Sequence, residues 1–202
     1  MFYEPRNGHG LPHDPGKAIV SPRPIGWIST RSRAGIANLS PYSFFTMLGS
    51  RPFLVCFSSE GEKDSMTNAR DTGEFAVNLA SRDLFEQMHR SSVDAPPEVD
   101  EFAYAGLTPA PCRIIAAPRV AEAHAALECK VTEVRQLKDI DGQSTGSFVV
   151  TGQVVGVHID DDYLVDGHFD TVRAGNVSRL GYLDYSFLET VFQRRRPRWD
   201  GE

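Results

Sequence analysis

Pro22-Arg23-Pro24-Ile25-Gly26-Trp27-Ile28-Ser29-Thr30, then Ala37-Asn38-Leu39-Ser40-Pro41-Tyr42-Ser43-Phe44-Phe45, and, beyond an apolar run, Lys63-Asp64-Ser65-Met66-Thr67-Asn68-Ala69-Arg70 form the stretch that organises this chain. Three polar clusters are separated by segments rich in β-branched and aromatic residues, and strands of a compact domain can bring such clusters together. The third cluster has the clearest physical reading. A lysine, an aspartate and two hydroxyl residues open a short helix, whose first backbone N–H groups lack partners within the helix and suit an anion. A phosphate at that helix start is the first functional expectation.

Outward from this stretch the texture is mostly β. Residues 1–15 read as an arm on the surface or on a partner, and residues 16–20 as a turn of helix ended by Pro22 and Pro24. Residues 25–30 read as a strand, residues 38–41 as a turn-rich loop, and residues 52–58 as a strand buried on both faces. A helix over residues 63–71 is stopped by Gly73, a strand follows over 75–79, and Ser81 caps a helix to about Arg90. Four prolines and a run of acids make residues 91–111 a long irregular excursion, the kind that serves as a lid or partner contact. Strands are expected over 119–126, 127–137 and 147–159, with Asp141-Gly142 turning the last pair, and a loop over 175–185 leads to a closing helix over 185–192. Hairpin spacing with few helices predicts an antiparallel β-barrel with helical decoration. No repeat or linker divides the 202 residues, so one domain is expected, with an arm at about 1–15 and a tail at about 193–202.

The bulk properties exclude several classes. Hydrophobic content of 41% and charged content of 24% are ordinary for a soluble globular protein. The formal net charge of −6 argues against a general nucleic-acid binder, and no apolar stretch is long enough to span a bilayer. The N-terminus lacks the apolar core of a secretory signal. Cys56, Cys112 and Cys129 are widely spaced without a CxxC pair, which fits reduced thiols in the cytoplasm better than disulfides or a zinc site. The six histidines show no i, i+4 metal pair, and dinucleotide, P-loop, HExxH and GxSxG motifs are absent. A self-contained hydrolase or metalloenzyme is therefore poorly supported. Chemistry from a bound cofactor fits better, with the protein supplying position and electrostatics.

The three quoted clusters, continued by Thr72-Gly73-Glu74-Phe75-Ala76-Val77-Asn78-Leu79, Glu128-Cys129-Lys130-Val131 and Gly152-Gln153-Val154-Val155-Gly156-Val157, resemble the flavin-reductase-like family of FMN-binding split-barrel proteins over about residues 16–185. The third family element is usually lysine-aspartate-threonine; Ser65 replaces the threonine here and keeps its hydroxyl. The resemblance implies a mainly β, six-stranded antiparallel split barrel, Greek-key-like, that forms a homodimer with FMN near the subunit interface. It implies electron transfer from NADH or NADPH through FMN to free flavin or to a partner such as a monooxygenase, with no catalytic side chain required. Lys63, Asp64 and Ser65 would approach the ribityl phosphate with Thr67 and Asn68 nearby, Asp64 capping the helix rather than binding the anion. Asn38, Leu39 and Ser40 would line the isoalloxazine ring. Arg23, Trp27, Ser58 and Ser59 are further candidates whose strand register is open.

Bland readings stand beside these. Pro22-Arg23-Pro24 can stiffen the start of a strand, the Phe44-Phe45 pair reads as core, and the basic tail from Arg194 to Arg198 reads as a solvated terminus as well as a contact for an acidic partner. A flavoredoxin-like carrier reduced by a partner protein, or a flavin-binding module without turnover, shares every motif.

Overall fold

Trp27 and Ile28 are neighbours on one strand, point to opposite faces, and are both fully buried. Their strand therefore lies between two apolar layers, and the fold is built around that fact. The computed structural model describes residues 1–199; the last three residues of the tail expected at about 193–202 lie outside the described residues. Seven strands form one antiparallel sheet: β1 (Gly26–Arg31), β2 (Ala37–Tyr42), β3 (Phe45–Ser50), β4 (Phe53–Glu60), β5 (Glu74–Leu79), β6 (Ala125–Lys138) and β7 (Ser144–Ile159). Their order is β2-β1-β5-β6-β7-β4-β3. The two edge strands, β2 and β3, are consecutive in the chain and joined only by Ser43 and Phe44, so the sheet must roll up to bring its ends together. Across the rolled interior the Tyr42 ring of β2 meets Phe57 of β4 at 4.9 Å, and Phe57 meets Phe75 of β5 edge-on at 5.4 Å. This is a split barrel.

Helix α1 (Asp64–Thr72) plugs the barrel, placing Met66 and Ala69 in the interior cluster with Ile28, Phe57, Phe75 and Val150. Gly73 ends it in the left-handed conformation, φ 75°, where glycine carries no Cβ penalty. The outer layer is made by α2 (Phe85–Arg90) and α3 (Glu101–Ala105), which bury Trp27, Leu39, Met88 and Phe102 against β1 and β2. Short strand β8 (Val177–Arg179) pairs with Arg23–Pro24 on one side and with β9 (Tyr185–Phe187) on the other, beside that layer. Asp141 and Gly142 turn the long β6–β7 hairpin, where the Asp139 carboxylate accepts from the N–H groups of Asp141 (3.0 Å) and Gln143 (2.8 Å). No described helix is long and apolar enough to cross a membrane.

Several local expectations are corrected. The sheet has seven strands, not six, because residues 45–50 form an edge strand inside the apolar run. Residues 38–41 are strand, not loop. Their polar side chains face the barrel mouth, and Pro41 sits on an edge where its missing N–H is not needed by a neighbour. Strand β4 alternates between buried and half-buried positions rather than being covered on both faces. Ser81 does not cap α2: its hydroxyl bonds Asp83 at 2.5 Å, and the helix begins after Leu84. The 91–111 excursion contains α3, and residues 185–187 are a strand, because Tyr185 and Phe187 pack against Phe85.

Gly152 of β7 leaves room for the Phe75 ring: a Cβ there would lie 2.6 Å from the ring and 3.2 Å from the Lys130 carbonyl oxygen. Gly152→Ala is expected to destabilise the chain by about 1–3 kcal/mol in urea unfolding. Phe75→Leu should relieve part of that cost, so additivity of the two substitutions would contradict the packing described.

Candidate functional site

The polar clusters of the sequence meet at the barrel mouth, beside the first turn of α1. Asn38 and Ser40 share the inward face of β2 with Tyr42, because strand side chains repeat every second residue. The Asn38 side-chain oxygen accepts from Ser65 Oγ at 2.7 Å and from Thr30 Oγ1 at 3.2 Å, and Thr30 in turn accepts from Asn68 Nδ2 at 3.1 Å. Asn38 Nδ2 donates to Glu101 Oε2 at 3.1 Å, which also accepts the Leu39 N–H at 3.1 Å. A buried network thus joins β1, β2, α1 and α3.

The helix start itself is uncapped. Lys63 occupies the N-cap position without a side-chain cap bond, so the expectation that Asp64 caps the helix is corrected: Asp64 is the first helical residue. The N–H groups of that turn have no partner inside the helix. Lys63, Asp64 and Ser65 line a small inner cleft of about 50 Å³ with Ser92, Asp94 and Glu101. It adjoins a groove of about 190 Å³ lined by Ser40, Tyr42, Phe44, Ser58, Lys63 and Lys17. Lysine Nζ of residue 17 lies 5.5 Å from the Phe44 ring centre.

Charge in the cleft is mixed. Burial, then the charges of Asp94 and Glu98, raise the Asp64 carboxyl above its ordinary value. Burial likewise raises Glu101, although the Leu39 N–H and Asn38 bonds oppose the shift. The Tyr42 phenol is raised by burial against the opposing hydroxyls of Ser65, Ser59 and Ser40. Lys63 is exposed and makes no ion pair among the described residues.

The remaining candidates divide. Ser40, Ser58, Lys63, Asp64, Ser65 and Asn38 are brought together along the groove and cleft. Thr67 is half-buried on the next turn, and Asn68 acts through Thr30. Leu39 contributes its backbone N–H while its side chain is core. Ser59 is buried and bonds the Gly61 carbonyl at 2.9 Å. Trp27 lies in the outer core with its indole N–H on Ser91 Oγ at 2.9 Å. Arg23 ties loops together through the carbonyls of Lys17, Val20 and Leu180. Neither of the last two lines the groove. Phe44 and Phe45 part company: Phe45 packs on Gly26 and the interior cluster, whereas Phe44 turns into the groove. Lys17, Ser92 and Glu101 had no sequence signal, since long-range folding alone brings them to the site.

The model of the family described as "Flavin reductase like domain" matches residues 20–173. The chain belongs to the flavin reductase like family. It is 36% identical over 183 residues to an uncharacterised protein of Halalkalibacterium halodurans, covering 88% of this chain and 87% of that one. Its structure is similar to that of nitrilotriacetate monooxygenase component B from Bacillus cereus, with a TM-score of 0.86, 25% identity, and coverage of 96% of this chain and 98% of that one. A Shewanella frigidimarina protein assigned as a flavin reductase with a split barrel domain superposes with a TM-score of 0.78 at 27% identity, over 91% of this chain and 89% of that one.

A carboxyl raised by burial holds its proton more tightly when folded. Its contribution to stability is full below the ordinary value of 4.5 and is lost as pH rises through the raised folded value. The stability of the native chain relative to Glu101→Gln should therefore fall as pH rises above the ordinary value of 4.5, measured as denaturation midpoints. Parallel profiles would contradict a strained, buried Glu101.

Proposed function

We propose that this chain is a cytoplasmic FMN-binding oxidoreductase that passes electrons from NADH or NADPH through the flavin to free flavin or to an acceptor protein such as a monooxygenase. The observation that carries the reading is the uncapped start of α1, beside exposed Lys63 and a row of hydroxyls, in a chain of this family. The donor set fits the phosphate end of FMN. Lys63 supplies a charge-assisted bond, Ser58 and Ser40 supply hydroxyls, and the helix start supplies free N–H groups. Pro41, Tyr42 and Phe44 give the groove an apolar and aromatic wall suited to a planar ring. Asn38 and Ser65 act at one remove, holding α1 against β2 so that the donors stay in place. The chemistry supplied when FMN is bound is hydride acceptance and electron release, for which no protein acid or base is needed.

The enclosed groove holds only part of such a molecule, which supports a homodimer whose second copy covers the open side. Edge strand β3, which starts at the groove, exposes Met47 (52%) and Leu48 (55%), an apolar edge of the kind a partner covers. The similarity to a monooxygenase component supports a monooxygenase as acceptor. The three free thiols support a reducing compartment.

Lys63→Ala should weaken FMN binding by about 1.5–3 kcal/mol in a fluorescence titration, the range for a hydrogen bond to a charged group. Unchanged affinity would remove Lys63 from the phosphate site. Anaerobic NADH and NADPH should bleach the flavin absorbance of the reconstituted protein; persistence with both would favour a carrier reduced by another protein.

A further inference from the structure

On the outer wall of the barrel, Cys112, Glu128 and His158 present a sulfur, an oxygen and a nitrogen that all lie within 4.8 Å of one another. We propose that these three residues bind a zinc-class divalent metal ion, with a fourth position open to the adjoining cavity. The three come from separate parts of the chain. Glu128 of β6 stands opposite Gly156 of β7, so His158, two residues on, shares its face diagonally, and the loop after residue 111 brings Cys112 over the pair. Gly156 makes the approach possible, since a Cβ there would lie 3.2 Å from the Glu128 carboxyl carbon.

Glu128 is held as a rigid oxygen donor. Its Oε2 accepts the N–H groups of Ile114 (2.7 Å) and Ile115 (3.1 Å), and its Oε1 accepts that of Arg113 (2.8 Å). Burial raises this carboxyl, but those bonds and His158 outweigh it and keep it below its ordinary value. The bond that a cation replaces is the one between Glu128 Oε1 and His158 Nε2, at 2.6 Å. Cys112 is a poor thiolate while no cation is near, pushed up to about 12 by burial and then by the Glu128 charge. A divalent ion reverses that balance and releases the proton.

A mixed sulfur, nitrogen and oxygen set selects zinc-class ions over magnesium or calcium, and three protein ligands beside open space leave room for water as a fourth. That space is a cavity of about 430 Å³ reached from Glu128 and His158. Its wall also carries Glu122 and Asp160 against Arg113 and Arg119, so with Glu128 its carboxylates outnumber its guanidinium groups.

Cobalt(II) titration of the full chain after chelator treatment tests the site. One ion per chain is expected, with a sulfur-to-cobalt charge-transfer band that zinc abolishes and that weakens as pH falls, protons competing for the ligands. Cys112→Ser should remove the band, and His158→Gln, which retains a hydrogen-bonding group toward Glu128, should weaken binding by more than about 100-fold, beyond the loss of an outer-shell partner. Cys56→Ser should leave it intact. FMN affinity should not move in any of these variants, which separates this site from the groove. No band at millimolar cobalt, or a band that survives Cys112→Ser, would overturn the proposal.

Discussion

An antiparallel sheet that ends in a buried edge strand must find partners for the N–H groups that face away from its neighbour, and at β2 this requirement falls on Leu39. Two residues along the same side, Pro41 has no N–H to satisfy. Leu39 is met by the carboxylate of Glu101, which also holds Asn38. An unpartnered buried N–H costs about 1–3 kcal/mol, whereas a hydrogen bond to a charged acceptor contributes about 1.5–3 kcal/mol. Two such bonds offset much of the cost of burying Glu101, and the carboxyl remains raised because burial is only partly compensated. The edge is closed at the expense of a strained acid.

This contact decides the shape of the site. Because Glu101 begins α3, fixing it fixes the segment that precedes it, and Ser92 and Asp94 are set along the cleft at the start of α1. Because Asn38 gives its amide to Glu101, its oxygen is left for Ser65 and Thr30, which locks α1 to β1 and β2. Lys63 and the free N–H groups of α1 are then presented by a rigid frame rather than by a loop, the arrangement that ligand positioning needs. The same segment brings acids close to the cleft, and Asp64 is raised by them as well as by burial. In the proposed complex the phosphate therefore lies on the Lys63 side.

How much of this was legible varies by residue. The helix expected over residues 63–71 declares itself through its Gly73 stop, and the long β6–β7 hairpin through Asp141-Gly142, because both signals are local. Asn, Ser and Pro within residues 38–41 favour a turn, and the edge position and barrel-mouth environment of β2 override that preference. Aspartate is a good N-cap, which points to Asp64 for that role, but the helix starts one residue earlier than the role requires. Trp27 and Arg23 lie in the most recognisable motif, and strand register, invisible in sequence, sets Trp27 in the outer core and Arg23 on the carbonyls of Lys17, Val20 and Leu180, 6.0 Å from the Phe44 ring. Glu101 could not be found because its partners lie more than 60 residues away. The cluster of Cys112, Glu128 and His158 fits no spacing motif for the same reason: pairing of β6 with β7, not proximity in sequence, assembles it.

The central functional claim is that the first turn of α1, with Lys63, receives a phosphate. The most direct measurement compares the binding of FMN with that of riboflavin, which has the same ring and ribityl chain without the phosphate, by flavin fluorescence at one salt concentration. FMN should bind more than tenfold tighter, the least that one charge-assisted hydrogen bond of about 1.5 kcal/mol provides. The difference should shrink at high salt, because Lys63 is exposed. Equal affinity for the two flavins would contradict the account and place any phosphate away from this helix.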